Sequence, residues 1–438
     1  ETECTDTTCS FCSLGCSMHL EIGGGMLIKA VPDREGPVNK GLLCARGRFG
    51  FDCAELEERL NAPLVKNGDV LEQTDYHEAA VRTAKGLQAV AARYGKDAVA
   101  VSISARMTNE EAFAMKQLAD AIGARTLCFD HRENGLKRVL GFDASPNTID
   151  ELLSTDVILA VGFTAAKSVM RVKLMQAAKN GAKIVLINPE GAEQELAFLH
   201  KAVYVKNDLS FLKELARALL DLGKTSSAEG FDAFAESLSG VTPGEQAREV
   251  AALYAGAKKA MILCQQNPLT ADAAALLAEI AALSGHLNAP RDGILQLRSK
   301  NNSQGLIDLG ITAGGEAMEG VKALLTFGED PQAASVKDLE FLAVCDVHLT
   351  DTARRADVVF PGTGFACAEG TFTSTERRLQ PVHAAIDSDV PLLNWQVAGA
   401  IAQVYEVALP YGDEADLSAA LDAALPVYRN ARLGEVAG

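Results

Sequence analysis

Cys9, Cys12 and Cys16 are spaced C-x2-C-x3-C, and a fourth thiol, Cys44, follows after residues 17–43. Three closely spaced thiolates and one remote thiolate suit the corners of a 4Fe–4S cube, where each iron takes one cysteine. A Cys4 zinc site is the competing reading. Structural zinc usually draws on two short C-x2-C pairs, one on each side of the metal. The triplet-plus-one spacing therefore points to iron and sulfide. Cys4 is left over; it could replace Cys9 or stand free, and the free reading is favoured.

The intervening segment explains how Cys44 returns to the triplet. Residues 18–22 and 26–31 read as short strands, and Gly23-Gly24-Gly25 supplies the positive φ angles of a hairpin turn. Gly36, Pro37 and Gly41 then bend the chain back. At Gly15 and Gly41 a missing side chain would let backbone N–H groups approach cluster sulfur and raise its potential. Lys40 and Arg46 flank Cys44; they could bind and tune the cofactor or be solvated charges. His19 on the hairpin could donate to a sulfide, although a surface hairpin position is the favoured reading.

With 438 residues the chain can bury a large core, and 48% apolar and 23% charged residues suit a globular protein. Forty-one basic against 58 acidic residues leave a net charge of −17, which disfavours a nucleic-acid partner. No apolar run approaches the roughly 20 residues of a membrane span. Cys128, Cys264 and Cys345 lie in apolar, strand-like runs and read as small buried hydrophobes, while Cys53 and Cys367 carry no clear signal. That usage suits a reducing, cytoplasmic setting. A chain opening on Glu is expected to have further sequence before it.

The long middle reads as α/β. Apolar runs recur at 98–103, 157–161, 184–187, 261–264, 323–327 and 343–348, with helical patterns between them. Asp75-x-x-Glu78, Thr108-x-x-Glu111 and Thr148-x-x-Glu151 each look like a capping box opening a helix. Unbroken apolar strands alternating with helices imply parallel sheets covered on both faces. Ligands of such sheets bind at strand carboxyl ends, where Gly162-Phe163-Thr164, Asn188-Pro189-Glu190 and Gly328-Glu329-Asp330-Pro331 are candidates. None is a G-x-G-x-x-G fingerprint, so this chain is not expected to bind nicotinamide itself. The amide-rich stretch 298–305 could cradle an anion or cap a buried loop.

The thiol quartet, RSKNNSQGLIDLG (298–310), TARRADVVFP (352–361) and EGTFTSTERRLQ (369–380) occur in one order. Together they resemble the molybdopterin oxidoreductases, most of all the formate dehydrogenase α subunit and the large iron–sulfur subunit of respiratory complex I. The resemblance implies a small, separate 4Fe–4S domain over residues 1–55, followed by interleaved parallel-sheet α/β domains over 56–438. One of these would join about 56–135 to 310–438, and the other would span 136–309. In active relatives these domains cradle a molybdenum or tungsten bis-pterin guanine dinucleotide.

The departures from that pattern gather at one place. Active formate dehydrogenases carry Cys or selenocysteine followed by His at the metal, but the matching stretch here is TLCFDHRENGLKRVLG (126–141), without such a pair. The usual Lys between cluster and pterin is Arg46, which keeps charge but changes hydrogen-bond geometry. An acidic-Pro-Arg loop has become Asn188-Pro189-Glu190, which would repel a dinucleotide's phosphates. A Gln-His has become Gln265-Gln266-Asn267-Pro268, and the chain stops where a C-terminal dinucleotide domain would begin. Arg377 and Arg378 fall where the family contacts pterin; without cofactor they would form structural ion pairs. His348 would satisfy a backbone carbonyl, and Trp395 marks a helix start.

The expectation is therefore one 4Fe–4S cluster, no molybdopterin and no catalytic residue of its own. The chain would be an electron-transfer subunit beside flavin, NAD(P)-binding and other iron–sulfur subunits, in a complex that could also be ferredoxin-linked or electron-bifurcating. The alternatives are a catalytic molybdenum or tungsten formate dehydrogenase α subunit and a purely structural subunit.

Overall fold

A computed structural model describes residues 2–51, 59–164, 168–267, 269–287, 289–425 and 428. Strands Val157–Val161 and Ala323–Phe327 are buried at every position and apolar but for Thr326, whose hydroxyl accepts from Ser102 at 2.7 Å; burial throughout marks strands covered on both faces. The first belongs to a five-stranded parallel sheet in the order Lys201–Val205, Lys183–Pro189, Val157–Val161, Ala260–Gln265, Gly293–Leu297. The second belongs to a seven-stranded sheet in the order Val70–Gln73, Leu64–Asn67, Val358–Pro361, Phe341–Asp346, Ala323–Phe327, Val99–Ile103, Arg125–Leu127. Its first two strands form an antiparallel edge hairpin, and the rest are parallel. The chain thus leaves the larger sheet, builds the smaller one and returns.

Strand order reverses between Val157–Val161 and Ala260–Gln265 in the smaller sheet, and between Val99–Ile103 and Ala323–Phe327 in the larger. Open α/β sheets bind ligands outside the strand carboxyl ends at such reversals. Each sheet therefore offers one such crevice.

Local signals set several boundaries. The Asp75 side chain accepts from Glu78 N–H to open helix Tyr76–Tyr94, and Thr108 forms a reciprocal capping box opening Asn109–Ile122. Thr148 behaves differently. Its N–H donates to Glu151 at 2.8 Å, yet the chain then winds into a 3-10 turn, Asp150–Ser154. The expected strand at 343–348 runs instead over Phe341–Asp346, because the Asp346 carboxylate turns back to accept from His348 N–H.

Strands Glu3–Thr8, Ser17–Gly23 and Met26–Pro32 form a three-stranded antiparallel sheet. Its second turn uses Gly24 (φ 61°) and Gly25 (φ 81°), the two positive-φ positions a tight hairpin requires. This sheet is not a separate body. Leu14, Met18, Leu20 and Ile22 share one buried core with Ile158, Leu186 and Leu263 of the five-stranded sheet. The two apolar faces bury each other, so the N-terminal segment packs directly on the smaller parallel sheet.

Candidate functional site

Cys9 N–H donates to Cys16 O at 2.9 Å and closes the loop between the first two strands. Cys44 caps the short helix Ala45–Phe49. Cys9 and Cys16 are buried, and Cys12 and Cys44 half-buried. Burial, then the neighbouring Cys12 and Cys44, push the Cys9 thiol up to about 12. Burial followed by Cys12, Cys9 and Cys44 raises Cys16 well above the usual range. Cys12 is raised by burial and by Cys44. The four thiols therefore converge, and thiolates so placed need added positive charge to coexist. Among the described residues no three of these sulfurs lie within 4.8 Å of one another. Tetrahedral zinc, with Zn–S about 2.3 Å, would draw them to roughly 3.8 Å; a cube spreads its corner ligands wider.

Positive groups surround the quartet from distant elements. Backbone N–H groups of Phe11 and Leu14 favour the Cys9 and Cys12 thiolates, as do Arg106 for both and Arg46 for Cys12. Arg106 Nη1 also donates to Ser10 O at 3.0 Å. The buried Lys173 ammonium favours the Cys16 thiolate and pairs with Asp150 at 2.8 Å. Lys40, half-exposed, takes the other Asp150 oxygen at 2.6 Å. Arg46 lies on the cavity wall beside Cys44. Arg106 and Lys173 were not singled out from sequence, since each sits in an ordinary loop or helical stretch.

The glycines act otherwise than expected. Gly41 N–H is spent on Asp33 O at 2.8 Å. Gly15 (φ 70°) makes room for Gln380, whose amide donates to Gly15 O at 2.6 Å. Gly47 is also closely packed: a Cβ there would lie 3.0 Å from Leu43 and 3.4 Å from Cys9 Sγ.

Cys12, Cys44 and Arg46 open onto a cavity of about 600 Å³ at the reversal point of the five-stranded sheet, where Thr164, Gln265 and Arg298 also line it. Its size is that of a single-ligand pocket. Arg298 is fully buried and bonded to Asp143 at 2.5 Å and to Gln304 at 3.2 Å, yet its Nη1 has no hydrogen-bond partner. That donor fits an acceptor-rich ligand. The rest of 298–305 mainly holds loops together: Asn302 bonds Met107 O and Thr373 N–H, and Gln304 bonds Asp143 O.

The remaining candidates scatter. Asn188 spends its amide on Phe163 N–H and O, and Glu190 lines another pocket with Tyr204 and Lys206. Arg377 pairs with Asp308 and Arg378 with Glu376. His19 bonds Asp6, and Trp395 stacks edge-on against Tyr411. Cys264 and Cys345 are buried in strands, as expected; Cys367 is buried with its thiol on Asp387 O. Cys53 lies outside the described residues.

The stretch 126–141 leads to the reversal point of the larger sheet. There Glu329 accepts from Phe129 N–H at 2.9 Å and faces Cys128 Sγ at 3.4 Å. His131, lowered to about 4 by burial, is held at Ile311 O. Burial pushes Glu329 from its ordinary 4.5 up to about 8, and Asp130 adds to it. Folded Glu329 keeps its proton where the unfolded chain has lost it, so stability should fall as pH rises from about 4.5 to about 8. Glu329→Gln is expected to flatten that slope in urea midpoints measured across the same pH range.

A quartet of thiols against the reversal point of a parallel α/β sheet defines an iron–sulfur oxidoreductase scaffold. The molybdopterin oxidoreductase family matches residues 59–403, and the molybdopterin oxidoreductase Fe4S4 domain matches residues 2–55. The chain belongs to the molybdopterin oxidoreductase family. It is 28% identical to F420-dependent formate dehydrogenase 2 subunit alpha of Methanococcus maripaludis, over 91% of this chain and 69% of that protein. It is 27% identical to formate dehydrogenase H of Escherichia coli, over 90% of this chain and 67% of that protein. Acetylene hydratase from Pelobacter acetylenicus superposes with a TM-score of 0.77 over 98% of this chain and 74% of that one; at 13% identity the likeness is one of fold. No described helix is long and apolar enough to cross a membrane.

Proposed function

We propose that this chain relays single electrons through a 4Fe–4S cluster ligated by Cys9, Cys12, Cys16 and Cys44, on a formate dehydrogenase-like scaffold. The bound cluster supplies one-electron redox chemistry. Arg106, Arg46 and Lys173 offset the thiolate charge, and Phe11 and Leu14 N–H groups orient toward sulfur. One-electron transfer needs a flavin elsewhere to meet hydride chemistry. The reading therefore places the chain in a cytoplasmic, NAD(P)-linked complex with flavin and further iron–sulfur subunits, or with ferredoxin. We assign residues 1–55 to the cluster segment and the remainder to two interleaved α/β units, about 56–135 with 310–438, and 136–309.

The observation that carries this reading is where the sulfurs stand. Among the described residues the thiols in the cavity wall are Cys12 and Cys44, both assigned to the quartet, while Cys128 is buried against Glu329 at the other sheet. A second reading, catalysis with a pterin-bound metal, is favoured by the family match and by Arg298, which lines the cavity and has a buried Nη1 without a hydrogen-bond partner. Elemental analysis of the purified assembly separates the two. About four irons per cluster with molybdenum and tungsten far below one per chain is the expected result; near-stoichiometric molybdenum or tungsten would establish the second reading instead.

A further inference from the structure

The N-terminal sheet carries a second sulfur-bearing group, apart from the quartet. The ligating atoms of Cys4, Asp6 and His19 all lie within 4.8 Å of one another. Cys4 and Asp6 alternate on strand Glu3–Thr8 and so share a face. Asp6 stands directly opposite His19 on strand Ser17–Gly23, and His19 Nδ1 lies 2.6 Å from Asp6 Oδ1. The other ring nitrogen, Nε2, faces Asp33 Oδ1 at 3.7 Å. Asp33 Oδ1 is itself anchored, accepting from Glu35 N–H at 2.9 Å.

We propose that Cys4, Asp6 and His19 form a binding site for a borderline-soft divalent cation of the Zn²⁺ type, with Asp33 orienting the imidazole. Thiolate, imidazole and carboxylate are the zinc donor set, and bond lengths of about 2.0–2.3 Å need only a small inward movement of the three side chains. At 3.7 Å Asp33 Oδ1 stands just outside hydrogen-bond distance of Nε2 and would close on the ring when the cation binds, because a carboxylate on the far nitrogen of a ligating His fixes its tautomer and ring plane. Paired strands hold the ligands, and solvent takes the fourth position. The surroundings also call for positive charge. Partial burial and the Asp6 and Glu21 carboxylates raise the Cys4 thiol. Cation binding replaces the thiol proton, which leaves to solvent, so affinity rises with pH.

The test is an anaerobic titration of the full chain, its iron–sulfur cluster intact, with cobalt(II) chloride. One equivalent is expected to produce thiolate-to-cobalt charge-transfer absorption that zinc chloride displaces. Cys4→Ser should abolish that band and leave the cluster EPR signal unchanged. Asp33→Asn should keep the band and weaken zinc binding by about tenfold. A band that survives in Cys4→Ser, or cobalt binding that does not saturate, would overturn the site. Wild-type zinc affinity in Asp33→Asn would overturn the role given to Asp33.

Discussion

Cys12→Ser is expected to abolish the low-temperature EPR signal of the dithionite-reduced protein while far-UV circular dichroism stays close to wild type. The seven-stranded sheet and one face of the five-stranded sheet draw their cores from other residues, so most secondary structure should survive. Cys12 sits where the cavity meets the quartet, and a hydroxyl there is a harder and less readily ionised donor than a thiolate. Stability should nevertheless fall. The cluster segment shares buried residues with the five-stranded sheet, so loosening the loop exposes part of a common core. An unchanged signal in Cys12→Ser would remove Cys12 as a ligand. Cys4→Ser is the control: Cys4 is exposed and grouped with Asp6 and His19, so its replacement should leave the EPR signal intact. A lost signal there would restore the reading in which Cys4 stands in for Cys9.

Asp143→Ala should be the most destabilising substitution away from the thiols, lowering stability by about 3–5 kcal/mol. Arg298 is fully buried, and its Nη2 takes both the main-chain oxygen and the carboxylate of Asp143, at 2.9 and 2.5 Å. Alanine keeps the first bond and deletes the counter-charge, leaving a buried guanidinium without an anion. The Asn134 amide, bonded to the same carboxylate at 2.5 Å and to Gln296 Oε1 at 2.8 Å, loses the first of these partners. Urea denaturation followed by circular dichroism measures the effect. A loss below about 1 kcal/mol would mean that Arg298 has another counter-charge. The double variant Asp143→Leu/Arg298→Met should recover most of the stability, because replacing a buried pair by apolar residues is often neutral. Since Arg298 lines the cavity, the same pair also sets the shape of the pocket beside the quartet.

Both substitutions bear on whether the cavity serves a bound group. Arg298 Nη1 is aimed without a partner, so a ligand accepting from it should raise the unfolding midpoint by mass action. Thermal shifts with acceptor-rich probes, compared between wild type and Arg298→Met, extend the elemental analysis in a way that does not rely on turnover.

Much of the architecture was legible because it is written locally. Val157–Val161 is an unbroken apolar run and Ala323–Phe327 is interrupted only by Thr326, and the Gly24-Gly25 turn and the Thr108 capping box are short-range chemistry. Lys201–Val205 escaped notice because it is an edge strand whose polar residues need no burial. Gly293–Leu297 escaped because Gln296 interrupts its apolar pattern; its buried side chain bonds Asn134 and its main-chain N–H donates to Ser145, both some 150 residues away. Thr148 shows the opposite case. A good local cap did not produce an α-helix, since Asp150 was needed where it could meet Lys173 and Lys40.

Sequence by itself determined the spacing of the quartet, the alternation of strands and helices, and the turns that return Cys44 to the triplet, all governed by bond geometry over a few residues. Only the tertiary structure decided which charges surround those thiols: Arg106 and Lys173 arrive from two distant segments. It also joined the N-terminal sheet to the smaller parallel sheet and set the cavity at its reversal point. The physical reason is that burial and charge pairing reward whichever remote groups meet in space, and no local periodicity records who those partners are.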